Sequence, residues 1–360
     1  MLRDSVAAFA ARTDGAASLR TRRAAGSDLD IAIWRDMAAA GWAGLMLPED
    51  LGGAGLGLRE QVILSESIGR ALLCEPIAQL GVFSSVLLAH SEAGALRTDL
   101  ATGLAGGSRL VSQAWQNARG HRQPLLAQSG PDGITLTGIA DLVPAAASAT
   151  DFLVLAQQEN GLLLVNVTAE TAGLTLTHRP TVDGAMLGRL VLEDCVVPVE
   201  QVLCSGEAVE TAMAAAIEAT RLAMAAELSG IGARALELTV DFTKSRIQFG
   251  KPIASFQSIQ HRMVDMWSAA EFACAAQVNA VEALADDPGQ SAKLAILAAK
   301  ARAGDAALDI TRRAIHLHGA MGFTDECDIG LYMKRAINLN ATLGQPDDLR
   351  LEFVALERAA

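Results

Sequence analysis

The hydrophobic period of this chain changes twice, and nothing else in the sequence restricts its architecture so strongly. Up to about residue 103 the apolar residues recur at helical spacing. From about 109 to 203 they fall in short alternating runs, and from Glu207 onward helical spacing returns. A helix buries one stripe and a strand one face, so the two patterns cannot belong to the same element. The order predicts an α+β multidomain chain: an N-terminal helical domain over 1–103, a central small β-barrel over 104–205, and a C-terminal four-helix bundle over 206–360.

Within the first block, Ile31, Trp34, Met37, Ala38 and Trp42 fall on one helical face. A turn follows at 47–53, then helices over 58–73 and 77–90. Gly53, Gly55 and Gly57 imitate a dinucleotide fingerprint. No strand precedes them and no βαβ unit surrounds them, so a flexible loop is expected instead. In the middle block, 133–137, 152–156, 161–168 and 174–177 alternate, and 191–198 closes the domain. The last block reads as helices over 208–245, 255–285 and 291–317, and from about 328. Gly230 and Gly232 in the first of these allow close helix–helix contact.

Composition removes several functional classes. Only 19% of the 360 residues are charged, 51% are apolar, and the formal net charge is −12. So acidic a chain has no general attraction for nucleic acid or an anionic membrane. Cysteines 74, 195, 204, 274 and 327 are odd in number and form no CxxC pair, which points to reduced thiols and a cytoplasmic setting. No apolar run is long enough to predict a membrane span, and that at 6–11 is too short for a signal sequence.

Two stretches could carry chemistry. In the first, Arg246-Ile-Gln248-Phe249-Gly-Lys-Pro is followed by Phe256-Gln257, which opens a helix continued by Ile259, Met263 and Met266. An Arg at a Gly/Pro break, beside free backbone amides, suits a phosphate. The plain alternative is a helix–turn–helix corner with a solvated Arg. The second is His316-Leu317-His-Gly319-Ala320-Met-Gly, where small residues permit close approach to a ligand. It also reads as a helix C-terminus capped by Gly319 with histidines at the negative dipole end. His316 and His318, two apart, point to different faces and make a poor metal pair.

The first stretch resembles the FAD-binding signature of acyl-CoA dehydrogenases. The second is similar to that family's Gln-x-x-Gly-Gly-x-Gly segment, with His316 for the Gln and Ala320 for the second Gly. The run GWAGLMLPEDLGGAGLGL near the N-terminus and 191–198 fit the same family in order. The resemblance implies the acyl-CoA dehydrogenase fold, with FAD as cofactor, an acyl-CoA thioester as substrate and an electron-transfer flavoprotein as acceptor. It also implies that Arg246, Gln248, Phe249, Phe256, Gln257, His316, Leu317, Gly319 and Ala320 contact the FAD of a neighbouring subunit.

The parts that the family supplies in cis are replaced. Ser112 to Gly120 stand where the family has Thr-Glu-Pro and Gly-Ser-Asp. Pro144 stands where a Ser or Thr meets the flavin ring, and proline offers neither hydroxyl nor N–H. The two family positions for the catalytic Glu hold Leu343 and Thr220, so no catalytic residue is expected here. Glu218 points to another face of the helix. The resemblance therefore implies one half of an α2β2 heteromer, completed by a homologous Glu-bearing subunit, of the kind associated with steroid side-chain acyl-CoA oxidation. Two alternatives are a homo-oligomer with a relocated base at Glu227 or Asp347, and a flavin-free scaffold of the same fold.

Overall fold

The computed structural model describes residues 2–358. In chain order the helices α1 (Leu2–Arg12), α2 (Gly15–Ala25), α3 (Ile31–Ala39), α4 (Leu58–Ala71), α5 (Ser85–Ala89) and α6 (Ala95–Ala105) come first. Eight strands follow: β1 (Val111–Ala114), β2 (Leu125–Gly130), β3 (Gly133–Pro144), β4 (Asp151–Gln158), β5 (Gly161–Thr168), β6 (Leu174–Pro180), β7 (Met186–Val197) and β8 (Val202–Ser205). Then come α7 (Glu207–Ser245), a two-residue ladder of β9 (Ile247–Gln248) and β10 (Lys251–Pro252), α8 (Gln257–Asp286), α9 (Gln290–His318), α10 (Ile329–Ala341) and α11 (Pro346–Arg358). The order is N-terminal helices, a central sheet and a C-terminal helical bundle, as the sequence pattern predicts. The chain divides into two compact units, one of Thr21–Gly57 and Glu75–Thr220, the other of Met1–Arg20, Leu58–Cys74 and Arg221–Ala360.

The sheet lies in the first of these units. Its strands run β6-β7-β3-β2-β4-β5-β8, and β1 pairs in parallel with β4. The inward side chains of six of these strands, among them Leu136, Phe152, Val154, Val165 and Leu190, form one core, so the sheet curls around a single interior. β3 and β7 pair with register shifts between Leu136 and Gly138 and between Ala140 and Val143. Such bulges bend a strand and help a sheet to curl. Strands β1, β2 and β8 lie in the β-rich block without being marked by its alternation. β1 is buried at all four positions and therefore does not alternate.

Two helical details of this unit differ from expectation. The carboxylate of Asp30 caps α3, accepting from Ala32 N at 2.9 Å and Ile33 N at 3.2 Å. The helix ends at Ala39, so Trp42 is buried from the following turn and not from the helical face, while Ile31 is exposed. Residues 77–90 are also not one α-helix. Ile77–Ser84 is a π-helix that runs into α5. The loop after Leu47 is hydrogen-bonded within itself: Gly53 N donates to Pro48 O and Gly55 N to Leu47 O. A Cβ on Gly53 would lie 2.1 Å from Leu47 O, so glycine there serves close packing.

In the other unit, α4 and α7 cross at a pair of glycines. A Cβ on Gly69 would meet Glu227 O at 2.1 Å, and one on Gly230 would meet Glu66 O at 2.0 Å. The helices touch backbone to backbone, as the small residues of α7 predicted. Gly232 faces Ile310 of α9. α9 is buried along most of its length through alanines, which lets α8, α10 and α11 approach it. Lys300 is fully buried in α9, and its ammonium donates to Leu339 O at 2.9 Å and Asn340 O at 3.4 Å, at the C-terminal end of α10.

Candidate functional site

Three helix ends of the bundle meet at one corner. The ring of Phe242, near the end of α7, stacks on His318 at the end of α9, with centroids 4.3 Å apart. Thr243 Oγ1 reaches Met263 Sδ of α8 at 3.4 Å. Arg262 Nη1 of α8 donates to His316 Nδ1 of α9 at 3.0 Å. The two stretches singled out in the sequence, about seventy residues apart, are thus brought together through neighbours the sequence did not mark. Arg262 has no local signal. It could have been suspected only from its place on α8 two turns after Phe256.

Each expected residue has a definite place here. Arg246 lies one residue beyond α7, is exposed, and its guanidinium forms no ion pair with any described residue. Phe249 and Gly250 connect β9 to β10 with φ of 53° and 78°, a tight turn of left-handed residues. Phe249 is 92% exposed. Its ring stands edge-on to Phe256 at 6.2 Å, and Lys251 Nζ lies 4.4 Å from the centroid of Phe256. Gln248 is exposed, its amide turned to Ile247 O. The helix starts at Gln257 rather than Ser255, whose hydroxyl bonds Pro252 O. Phe256 is therefore the N-cap and Gln257 the first helical residue, exposed with free N–H groups behind it.

At the end of α9, Gly319 adopts φ 62° and its N–H donates to His316 O, so it does cap the helix. A Cβ on Gly319 or Gly250 would meet nothing within 4 Å. The backbone is open at both points. The histidines diverge as their spacing required. His316 is exposed, whereas His318 is buried, its Nδ1–H donates to Ala314 O, and burial pushes its pKa down. Ala320 is exposed in the short helix Gly319–Phe323, and Leu317 points its side chain into the bundle. The corner offers outward aromatic rings, an uncommitted guanidinium and open backbone. That donor set suits a diphosphate with an attached planar ring.

The segment at Pro144 is built differently. Ser112 Oγ, fully buried, donates to Pro144 O at 2.6 Å, and Val143, Ala145 and Ala146 are buried around it. Leu142 and Ala145 both take left-handed φ, 57° and 47°. A Cβ on Gly188 would lie 2.3 Å from Ala146 Cβ. The hydroxyl nearest Pro144 is thus spent within the sheet, and the residues present do not fit a flavin ring at this point.

The acid–base positions are similarly occupied by structure. Leu343 has φ 57°, and its carbonyl accepts from Arg221 Nε at 2.9 Å. Arg221 also holds both oxygens of Glu352 at 2.8 Å. Thr220 is fully buried, and its hydroxyl has no partner among the described residues. Glu227 is buried, with Arg335 Nε 2.8 Å and Nη2 2.7 Å from its Oε1. Asp347 lies in the exposed first turn of α11, paired with Arg350. A carboxylate fixed against a buried guanidinium is a poor base. No cluster of three metal-ligating side chains occurs among the described residues, and no helix is long and apolar enough to cross a membrane.

Comparison with known proteins bears on this arrangement directly. Residues 1–96 match the family model "Acyl-CoA dehydrogenase, N-terminal domain", and 209–351 match "Acyl-CoA dehydrogenase, C-terminal domain". The chain is 32% identical over 356 residues to the acyl-CoA dehydrogenase IpdE2 of Mycobacterium tuberculosis, covering 98% of this chain and 95% of that one. Among solved structures, the Tcur3481–Tcur3483 steroid ACAD superposes with a TM-score of 0.83 at 27% identity, covering 100% of this chain and 99% of the other. The ChsE4–ChsE5 complex of Mycobacterium tuberculosis gives 0.90 at 24% identity, covering 99% and 96%, a likeness of fold. With that identity over nearly the whole of both chains, and both helical regions matched in order, this chain belongs to the acyl-CoA dehydrogenase family.

Proposed function

We propose that this chain is one subunit of a FAD-dependent acyl-CoA dehydrogenase that introduces an α,β double bond into a CoA thioester. It supplies the FAD of a homologous partner with contacts in trans, and that partner carries the Glu base. The observation that carries the reading is the corner around Arg246. It turns an unpaired guanidinium and the ring of Phe249 to the outside, while the places of the base hold Leu343 and Thr220. Large rings exposed beside an unpaired cation are what a surface looks like when its ligand sits on another chain.

The chemistry that FAD supplies when bound is acceptance of the hydride leaving the β-carbon of the thioester. On this reading, Arg246 neutralises the diphosphate, and Gln248 and Gln257 hydrogen-bond to it. Phe249 and Phe256 cover its apolar parts. Gly319 and Ala320 let the backbone approach, and His316, oriented by Arg262, turns its Nε2 outward. Leu317 packs beneath this surface and holds its position. No residue of this chain removes the α-proton. The family relatives that support an α2β2 assembly are the paired Tcur3481–Tcur3483 and ChsE4–ChsE5 proteins, and the first is described as a steroid ACAD. We extend from that description a steroid acyl-CoA as substrate class; the side chain as the oxidised part, an electron-transfer flavoprotein as acceptor and the cytoplasm as location follow from the sequence reading alone. The division into domains at 103/104 and 205/206 belongs to the same reading.

The test counts flavin per subunit and measures dye-coupled turnover, first in the chain alone and then in a complex with a Glu-bearing homologue. We expect little flavin and no turnover alone, and one flavin per pair of subunits in the complex. Stoichiometric flavin with turnover in the chain alone would establish the homo-oligomer. A complex without flavin would leave the scaffold reading. The burial of Glu227 against Arg335 and the exposure of Asp347 both argue against a relocated base.

A further inference from the structure

Residues 319–328 join α9 to α10 and begin with Gly319 and Ala320 of the corner described above. Gly322 alone among them is buried. A Cβ there would lie 2.5 Å from Ile315 O, so Gly322 rests on the last turn of α9. Met321 and Phe323, on either side of it, are 53% and 81% exposed. A segment with so few apolar anchors keeps one position only where polar contacts fix it. Thr324 provides two within the segment, its N and Oγ1 donating to Met321 O at 3.0 and 2.8 Å.

The far end of the segment is held by a residue 305 positions earlier. Arg20 of α2 donates from Nε to Asp325 O at 2.9 Å and from Nη2 to Asp328 Oδ1 at 2.7 Å. Both bonds are charge-assisted. Asp328 is the N-cap of α10, where an aspartate ordinarily accepts from the first N–H groups of its helix. Here its carboxylate makes no such bond and turns to Arg20. Arg20 is itself firmly based. A Cβ on Gly15 at the start of α2 would lie 2.4 Å from Ala71 O at the end of α4, and Leu19 is 3% exposed. All of these residues belong to one compact unit.

We infer that Arg20 is a positioning residue for the cofactor. By holding Asp325 and Asp328 it fixes where the backbone of Gly319 and Ala320 stands, without touching the ligand. Thr324 passes the constraint back to Met321, the neighbour of Ala320. That the ligand is FAD rests on the reading above. Two bonds from one planar fork, to a backbone carbonyl and to a carboxylate, set both the place and the orientation of the segment's end. The single point charge of a lysine would set only the first. Close backbone approach tolerates little error, since a shift of about 1 Å is enough to spoil a binding geometry.

The test follows the same variants in two preparations. In the chain alone, hydrogen exchange is measured at the amides of Thr324, Leu331 and Tyr332, which donate to Met321 O and Asp328 O. Arg20→Ala should speed their exchange about tenfold and leave the amides of α9 unchanged. The melting temperature should stay within about 2 °C, because a partly exposed ion pair contributes little to global stability. In the reconstituted complex, FAD titration should show about tenfold weaker binding, partly recovered by Arg20→Lys. Asp328→Asn should also weaken it, and adding Asp328→Asn to Arg20→Ala should bring no further loss. Unchanged exchange in Arg20→Ala would overturn the inference, as would faster exchange with unchanged FAD affinity. A large fall in melting temperature, with FAD loss that Arg20→Lys does not recover, would make Arg20 a purely structural tie and overturn it too. A wild-type complex without flavin would remove the half-site reading and this inference with it. Equal flavin affinity in wild type and variants would remove this inference alone.

Discussion

Arg335→Met decides whether Glu227 is a structural carboxylate or a free one. The two side chains are 3% and 5% exposed, and two guanidinium nitrogens lie within 2.8 Å of one carboxylate oxygen. Methionine keeps most of the stem and removes the charge. A buried carboxylate then loses the guanidinium beside it, and losing one partner of such a pair costs about 3–5 kcal/mol. At roughly 2–4 °C per kcal/mol for a cooperative unit of this size, the melting temperature should fall by about 6–20 °C. Thermal unfolding followed by circular dichroism measures this. The double variant Glu227→Leu/Arg335→Met removes both charges and should recover most of the loss. A single variant within about 1 kcal/mol of wild type would refute the reasoning. Glu227 would then relax freely into water, as a general base must, and the homo-oligomeric reading would return.

Gly230→Ala should destabilise the chain despite a gain in helix propensity of about 1 kcal/mol. The added methyl would lie 2.0 Å from Glu66 O, with backbone on both sides, and such overpacking costs about 1–3 kcal/mol or more, so urea denaturation should show a net loss. Burial pushes the Lys300 ammonium down from 10.5 to about 7. Between those values the unfolded chain binds a proton that the folded chain does not, so stability should rise with pH across that window. Lys300→Met should lack this part of the rise in pH-dependent unfolding. Arg246→Ala should leave the corner folded, because the turn and the Phe249–Phe256 contact do not use its side chain. In the reconstituted complex it should weaken FAD binding by roughly ten- to a hundredfold, the equivalent of about 1.5–3 kcal/mol. Unchanged FAD retention on titration would reduce Arg246 to a structural corner.

The fold was legible where the pattern is local. The long helix α7 and the strand Gly161–Thr168 can be bounded from the sequence within a residue, because each has a turn signal at its ends. β1 was not. It is short, buried on both faces, and its partner lies far along the chain. The π-helix Ile77–Ser84 was missed because its side chains are as apolar as those of an α-helix, and the difference lies in backbone spacing. At the site, Arg246, Phe249 and Gly319 could be picked out because turn chemistry marks them. Arg262 and Lys300 could not, since their partners, His316 and the carbonyls at the end of α10, are set by helix packing.

The parallel pairing of β1 with β4 imposes an order in time. Val111 pairs with Asp151 and Ala114 with Val154, so β1 leaves the ribosome about forty residues before its partner exists. No hairpin can form a parallel pair, and closing a loop of that length is slow beside the β2–β3 turn that intervenes. Until Asp151 arrives, β1 is a strand with open hydrogen-bonding edges, the sort of segment through which nascent chains aggregate. Once it arrives, Arg109 Nη1 reaches its fully buried carboxylate at 3.1 Å and Leu110 N bonds Thr150 Oγ1 at 3.0 Å. A slip of one residue would turn the buried acid away from the Arg109 guanidinium, so synthesis of two polar residues, Thr150 and Asp151, is the moment at which the register of the first strand becomes fixed.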